Sequence, residues 1–175
     1  MMIIVYKSNT GYTEQYAKLL GDALDMPSYS LDKVPKCHKG GEVIYLGWLF
    51  AGNIVGYKKA AKLYKVRCVC GVGMGAPTPE LVPGFRAKMG IPQSTAVFYL
   101  QGGFDINRLK GPMKLIMKAK CKEIAGRLSV RAELNPAEQA TLAMTKGAVS
   151  CVSRENLAEV IACLLYTSDA ADDKA

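Results

Sequence analysis

The sequence predicts a three-layer α/β sandwich, in which a parallel sheet of five strands lies between two layers of helices. Short apolar segments recur along the chain with helical patterns between most of them, as expected for alternating strands and helices. Three of these segments are continuous apolar runs, which is typical of strands buried on both faces. A loop of hydroxyl residues and glycine follows the first strand, where a doubly wound sheet can hold a ligand.

The elements follow one another at regular spacing. The predicted strands span residues 2–6, 27–31, 43–47, 66–72 and 95–100. Helical patterns cover residues 14–24, 54–63 and 78–89, whereas residues 32–42 contain Pro35, Gly40 and Gly41 and predict no full helix. We expect the strand order 2-1-3-4-5, with ligands at the carboxyl ends of strands 1 and 3. An insertion at residues 105–144 follows strand 5.

The length and composition of the chain limit the classes of protein to which it can belong. A chain of 175 residues, half of them hydrophobic, can build one full core, and its longest apolar stretch, residues 43–52, is too short to span a bilayer. No secretory signal pattern precedes the first strand, so we expect a cytoplasmic protein. Cys68 and Cys70 share one face of a strand, and buried free thiols are expected for the cysteines in general. His38 beside Cys37 is not a metal site, and no metal is expected.

The last residues have a separate explanation. Residues 163–172, from Cys163 to Asp172, match the translation of the transposon adapter used to prepare sequencing libraries. We therefore expect residues 1–162 to form the native domain and residues 163–175 to be a read-through tail. The alternative is a genuine polar tail.

The chain is basic. Its net charge is +8, and leaving out residues 163–175, with three aspartates and one lysine, gives 22 basic against 12 acidic residues, or +10. This balance favours an anionic partner such as a membrane surface, a carboxylate substrate or nucleic acid.

The loop after strand 1 is a candidate phosphate site. Its residues are Ser8, Asn9, Thr10, Gly11, Tyr12 and Thr13. Three hydroxyls and the N–H groups of a helix start can bind a terminal phosphate, and the helix dipole favours negative charge there. The loop contains neither a Walker lysine nor G-x-G-x-x-G, so it does not fit a nucleoside triphosphate or a dinucleotide. The alternative is an ordinary helix start capped by Thr10 or Thr13.

Three further loops are candidates for holding an aromatic ring. The candidate residues are Trp48, Leu49, Phe50, Ala51 and Gly52 after strand 3, Gly73, Met74 and Gly75 after strand 4, and Gly102 and Gly103 after strand 5. Large apolar side chains can stack on a flat ligand, and small residues let backbone N–H groups approach it. Core packing is the alternative, and it is the preferred interpretation for Leu49. A dinucleotide fingerprint at Gly71 to Ala76 is disfavoured because Pro77 and Pro79 interrupt the helix start.

The pattern [S/T]-x-T-G-x-T at residues 8–13 resembles the phosphate loop of flavodoxins, which bind flavin mononucleotide (FMN). Asp105 to Arg108, then Met113 to Lys118, and Ser153 as a cap for Arg154 to Leu157, are similar to menaquinone-dependent protoporphyrinogen dehydrogenases. The resemblance implies a flavodoxin-like fold and FMN as non-covalent cofactor. It covers most of residues 1–162, and the phosphate loop is its most specific part.

Two functions remain open. The first is an FMN-dependent oxidoreductase acting on a porphyrinogen or a quinone. The alternative is a flavodoxin-type electron carrier that docks to redox partner proteins. The basic charge favours the enzyme, since carriers of this family are typically acidic. No acid or base is placed convincingly, so no catalytic residue is named, and nucleic-acid binding has only the charge behind it.

The insertion carries a series of lysines. Lys110, Lys114, Lys118 and Lys122 recur every four residues, while Leu109, Met113, Ile116, Met117 and Ile124 fall roughly on one helical face. Such a helix predicts peripheral contact with an anionic membrane or an acidic partner. A merely solvated face is the alternative.

Overall fold

The computed structural model describes residues 2–109, 111–134 and 136–172. The strands are β1 (Ile3–Lys7), β2 (Ser28–Ser30), β3 (Glu42–Phe50), β4 (Asn53–Ile54), β5 (Lys65–Gly73), β6 (Ala96–Gln101), β7 (Gly103–Phe104) and β8 (Val149–Ser150). The helices are α1 (Tyr12–Leu24), α2 (Tyr57–Leu63), α3 (Leu81–Met89), α4 (Gly111–Ser129), α5 (Pro136–Lys146) and α6 (Ala158–Asp172). Short 3-10 turns lie at Lys36–His38, Ile106–Arg108 and Glu155–Leu157.

The chain folds as two compact units, which within the described residues are 2–102 with 152–172, and 103–151. The first unit contains the sheet, in the order β2-β1-β3-β5-β6, and neighbouring strands along this path are parallel. The short β4 pairs antiparallel with β3. Because β4 was not predicted, the predicted strands 4 and 5 are β5 and β6. The predicted order 2-1-3-4-5 and the flavodoxin-like α/β sandwich are therefore confirmed.

Two hydrophobic cores cover the two faces of this sheet. Side chains alternate between the faces along a strand, so β1 sends Ile3 and Val5 into one core and Ile4 into the other. The first core receives Tyr57 and Ala60 of α2 and Phe85 of α3. The second receives α1 and α6; its helical members are Tyr16, Ala17, Leu20, Val160 and Leu164. Helices therefore cover both faces of the sheet, which gives the three layers of the sandwich.

Several element boundaries differ from the predictions. β3 continues through Trp48, Leu49 and Phe50, which were expected to form a loop after Gly47. The chain then reverses into β4, so Ile54, expected to begin a helix, lies in a strand. α3 begins at Leu81 rather than at Thr78, after the segment that contains Pro77 and Pro79. Within residues 32–42 the only helical element is the 3-10 turn Lys36–His38, which agrees with the prediction of no full helix.

The cysteines are free thiols. Cys68 and Cys70 are buried in β5, as predicted. Cys37 is exposed and Cys121 and Cys151 are partly buried, so the expectation that all would be buried is wrong for Cys37. That residue lies in the 3-10 turn between β2 and β3, where no core element covers it.

α6 crosses the position at which we expect the native sequence to end. The helix runs from Ala158 to Asp172, and Leu164, which belongs to the expected read-through tail, is buried in the second core. Before the helix, the Asn156 N–H donates to Ser153 Oγ at 3.4 Å, whereas the N-cap of the 3-10 turn itself is Arg154 rather than the predicted Ser153. The read-through origin of residues 163–175 stays a prediction about the gene.

The second unit is the insertion that was expected after the last strand of the sheet. β7 and β8 form a two-stranded antiparallel ladder, pairing Gly103 with Ser150 and Phe104 with Val149. α4 and α5 pack together, and Arg131 forms an ion pair with Glu138. Asp105 caps the 3-10 turn Ile106–Arg108 by accepting the Asn107 N–H at 2.9 Å. No helix in the described ranges of either unit is long and apolar enough to cross a bilayer.

Candidate functional site

The hydroxyl-rich loop lies where the sheet reverses its winding direction. It connects the carboxyl end of β1, a central strand paired with β2 and β3, to the start of α1. Gly11 is the N-cap of α1 and has φ 93°, a left-handed conformation that favours glycine. Its carbonyl accepts the first helical bond, from the Gln15 N–H at 3.0 Å. The backbone conformation therefore explains why a glycine occupies this position.

The loop brings together the donors that a phosphate requires. Ser8 Oγ accepts the Gly11 N–H at 3.1 Å, which closes the turn and leaves the serine hydroxyl hydrogen to donate elsewhere. Asn9 is exposed, Ser8 and Thr10 are half-buried, and Thr13 is buried in the first turn of α1. Tyr12 is also buried, so it contributes to the loop through its backbone. Gly11, rather than Thr10 or Thr13, occupies the N-cap, and it has no side chain with which to cap the helix.

Charged groups near the loop are paired with one another. Glu14 in the first turn of α1 lies 2.9 Å from Lys18, and the hydrogen bond from Lys18 lowers the pKa of the Glu14 carboxyl. Lys7, directly before Ser8, pairs with Asp32, which also accepts Lys59 at 3.0 Å. Because the Lys7 ammonium pairs with Asp32, the donors within the loop itself are its hydroxyl and backbone N–H groups.

The end of β3 presents two aromatic rings on one side of the sheet. Trp48 and Phe50 alternate with Leu46, which packs in the core formed with α1 and α6, so they face the same side as α1. Their ring centroids are 5.6 Å apart and their planes are tilted by 49°. Phe50 is 48% exposed, so this pair offers accessible ring surface. Leu49 points the other way and packs against the opposite core, in agreement with the preferred interpretation for that residue.

Ala51 and Gly52 form a tight turn between β3 and β4. Both have positive φ, 48° and 72°, as in the two-residue hairpins that suit the twist of a sheet. The Ala51 carbonyl accepts Lys88 Nζ at 2.5 Å and Asn53 Nδ2 at 3.3 Å. Lys88 and Asn53 therefore position this turn. Lys88 has no sequence signal for this role, since α3 is distant in sequence from the turn and no motif marks the contact.

The glycines at the end of β5 have a packing role. A Cβ at Gly73 would lie 2.8 Å from the Tyr99 ring and 2.9 Å from Leu49 Cδ1, so only glycine fits there without movement. The Tyr99 hydroxyl donates to the Gly75 carbonyl. Met74, between the two glycines, is 42% exposed. The space that a glycine leaves at position 73 is therefore filled by the side chains of Tyr99 and Leu49.

Gly102 lies where three of the predicted segments meet. Its N–H donates to the Gly73 carbonyl at 2.7 Å, and a Cβ there would lie 2.8 Å from Val72 Cγ1 and 3.4 Å from Tyr12 Cβ. The start of α1, the end of β5 and the end of β6 therefore meet at this edge of the sheet. Gly103 is buried in β7, as part of the second unit.

A polar network around the buried Tyr16 supports the same edge. Tyr16, fully buried in α1, donates from its hydroxyl to the Gln101 carbonyl at 2.6 Å and accepts Asn156 Nδ2 at 2.8 Å. The network holds α1 against the end of β6 and against the turn before α6. A tyrosine in a helix gives no sequence signal for such a role.

Comparison of the chain with protein-family models and with curated proteins finds no match. Interpretation of the site therefore depends on its geometry and donor chemistry. The loop residues at this edge contain hydroxyls, glycines and aromatic rings, and they contain no carboxylate, imidazole or thiol. Such a set can bind and orient a phosphorylated aromatic ligand, but it supplies no acid–base or nucleophilic group of its own. Among the described residues no cluster of potential metal ligands is present.

Proposed function

We propose that this chain binds FMN non-covalently and acts as an FMN-dependent oxidoreductase. The observation that carries the proposal is the position of Ser8 to Thr13, a hydroxyl and glycine loop at the carboxyl end of β1 in a flavodoxin-like sheet. Ligands of doubly wound sheets bind at this edge, where the winding direction reverses. The resemblance of residues 8–13 to a flavodoxin phosphate loop supports the same cofactor.

The residues present fit the two chemical halves of FMN. The Ser8, Thr10 and Thr13 hydroxyls and the N–H groups at the start of α1 would hold the phosphate. Trp48 and Phe50 would contact the flat ring, bordered by the turn at Ala51 and Gly52. The backbone of Gly73 to Gly75 and of Gly102 would complete the border. When bound, FMN supplies the electron or hydride transfer, while these residues bind and orient it.

A charge reversal at the loop tests the cofactor. We expect wild-type protein to quench FMN fluorescence on titration, and Thr10→Glu to abolish quenching, because the new carboxylate would face the phosphate. Ser94→Glu is the matched control, since Ser94 is exposed in the turn before β6, at the amino edge of the same sheet. Wild-type protein that neither quenches FMN nor becomes yellow on reconstitution would refute the cofactor.

The net charge favours one of the two functions that the sequence left open. A chain with a net charge of +8 suits an anionic substrate, such as a porphyrinogen with carboxylate side chains, better than it suits a typical carrier of this fold. We therefore place a porphyrinogen or quinone oxidoreductase first and an electron carrier with protein partners second. We also propose a cytoplasmic location.

Turnover separates the two functions. FMN-loaded protein should oxidise protoporphyrinogen with a quinone as acceptor at steady state. Absence of this turnover, together with efficient one-electron exchange with a reductase, would instead support the carrier.

A further inference from the structure

The outer face of α4 combines exposed apolar and basic side chains. We define this face by Leu115, Ile116, Lys118, Ala119, Lys120, Lys122, Glu123 and Arg127, all of which are exposed. Leu115 is 71% exposed and Ile116 is 55% exposed, so two adjacent large aliphatic side chains lie on the surface of α4 beside the basic residues. Four of the eight residues are basic and one is acidic.

The opposite side of α4 is less exposed to solvent. Leu128 is buried, and Met117, Cys121 and Ile124 are half-buried. Ile116 is exposed whereas Met117 and Ile124 are half-buried, so these residues do not share one face as expected, and Lys114 is half-buried rather than part of an exposed row. The reason is geometrical, since residues four apart rotate by about 40° around a helix, so a strict four-residue series drifts from one face to the next. Lys110 and the side chain of Met113 lie outside the described residues.

From this face we propose that α4 docks on an anionic lipid surface, with Leu115 and Ile116 entering the interface and the lysines contacting headgroups. Helices that lie in a membrane interface bury apolar side chains at the boundary between headgroups and acyl chains, and they add attraction between basic residues and anionic lipid. Leu115, Lys118 and Lys122 follow one another at three- and four-residue spacing, so they lie along the same side of the helix. Insertion and charge contact can therefore occur together.

Two other occupants fit this face less well. A second copy of α4 would bring lysines against lysines, which is repulsive. A nucleic acid would satisfy the lysines, but its phosphate backbone offers no apolar surface to Leu115 and Ile116. An anionic membrane satisfies both kinds of side chain.

Co-sedimentation with phosphatidylcholine vesicles, with and without phosphatidylglycerol, tests the proposal on the full chain. We expect binding only when phosphatidylglycerol is present, and weaker binding as salt is raised. Each lysine near an anionic surface contributes about 1 kcal/mol, so Lys118→Glu with Lys122→Glu should lower the partition coefficient by about 30-fold or more. Leu115→Ser with Ile116→Ser should weaken binding while leaving its salt dependence in place.

The matched control is Lys58→Glu with Lys62→Glu. These lysines are exposed on α2 with the same four-residue spacing, so the control changes the net charge equally at a different surface. We expect the control variant to bind vesicles much more tightly than the α4 charge variant. Equal losses in the two charge variants would mean that net charge alone drives binding, and they would overturn the proposal. Wild-type protein that ignores the anionic vesicles at low salt would overturn it as well, and would leave an acidic protein as the occupant of this face.

Discussion

Glycines in this protein illustrate how one residue type serves different purposes. Gly11 provides the left-handed backbone at the start of α1, at φ 93°. Gly73 and Gly102 instead make room for neighbouring side chains, those of Tyr99 and Val72 respectively. From sequence, all three were interpreted as residues next to a ligand. These roles could not be told apart from sequence, because the side chains that lie against Gly73 and Gly102 come from other strands.

Gly56 provides a test of such a steric requirement. It is the N-cap of α2 with φ 86°, and a Cβ there would lie 2.2 Å from Tyr45 Oη. The Tyr45 hydroxyl cannot easily move, because it is buried and donates to the Val55 carbonyl at 2.6 Å. We expect Gly56→Ala to lower the free energy of unfolding by about 2–3 kcal/mol, measured by denaturant titration.

Gly90 is the matched control for that substitution. It also has a positive φ, 63°, but apart from its neighbours along the chain no atom of the described residues would lie within 4 Å of a Cβ there. Gly90→Ala should therefore cost only the backbone strain, about 1 kcal/mol. Equal losses of stability in the two variants would show that the contact with Tyr45 carries no additional cost.

Among the secondary-structure elements, the strands that form the core were predictable and their ends were not. The apolar runs placed β1, β3, β5 and β6 correctly, because continuous hydrophobicity is what a strand covered on both faces requires. Trp48, Leu49 and Phe50 continue the apolar run, yet they were interpreted as a loop that could hold a ligand. The Ala51–Gly52 turn explains the extension, since it lets β3 continue and pair with β4. Ala at the first turn position gave only a weak hairpin signal.

Asp32 links three elements, and this gives a pH-dependent contribution to stability. Its carboxylate follows β2 and pairs with Lys7 at the end of β1 and with Lys59 of α2. The hydrogen bond from Lys7, and then that from Lys59, lowers the pKa of Asp32. A lowered folded-state pKa contributes stability above the unfolded value of about 3.9, and this stability is lost as the pH falls through the folded value.

We expect Asp32→Asn to lower the free energy of unfolding at neutral pH by less than about 1 kcal/mol, because the carboxylate is 47% exposed and solvent screens the pairs. The difference from wild type should disappear in acid, where Asp32 is protonated in both states. Denaturant titrations of both proteins across this pH range provide the measurement. A difference that stays constant down to acid pH would mean that the charge of Asp32 is not what stabilises the fold.

For the whole molecule, the sequence predicted the sheet order and the position of the hydroxyl-rich loop after β1, because both depend on the succession of elements along the chain. It did not predict that residues 103–151 form a unit of their own, nor how Lys88 holds the turn at Ala51. Both depend on contacts between residues far apart in sequence, which no local pattern encodes. The candidate cofactor residues were therefore identifiable by position, whereas the residues that support them were not.

The two segments of the first unit are held together by contacts between residues that are far apart in sequence. Residues 2–102 and 152–172 belong to one unit although the insertion separates them in sequence, and the bond between Tyr16 and Asn156 spans 140 residues. Tyr16→Phe would leave the Gln101 carbonyl without this donor and Asn156 without this acceptor. Gln101 is half-buried and Asn156 is exposed, so we expect a loss of about 1 kcal/mol in the free energy of unfolding, the net contribution of an ordinary hydrogen bond.

A double-mutant cycle with Asn156→Ala isolates the bond between the two segments. Tyr16→Phe and Asn156→Ala remove the same hydrogen bond, so the double variant should lose less stability than the sum of the single losses, with a coupling free energy of about 0.5–3 kcal/mol. Additive losses would show that Tyr16 stabilises the fold only through Gln101 and through packing. Coupling would instead mean that a side chain in the turn before α6 helps to fix the helix that begins at the phosphate loop. A ligand held at the start of α1 would then be stabilised by a part of the chain that follows the entire insertion.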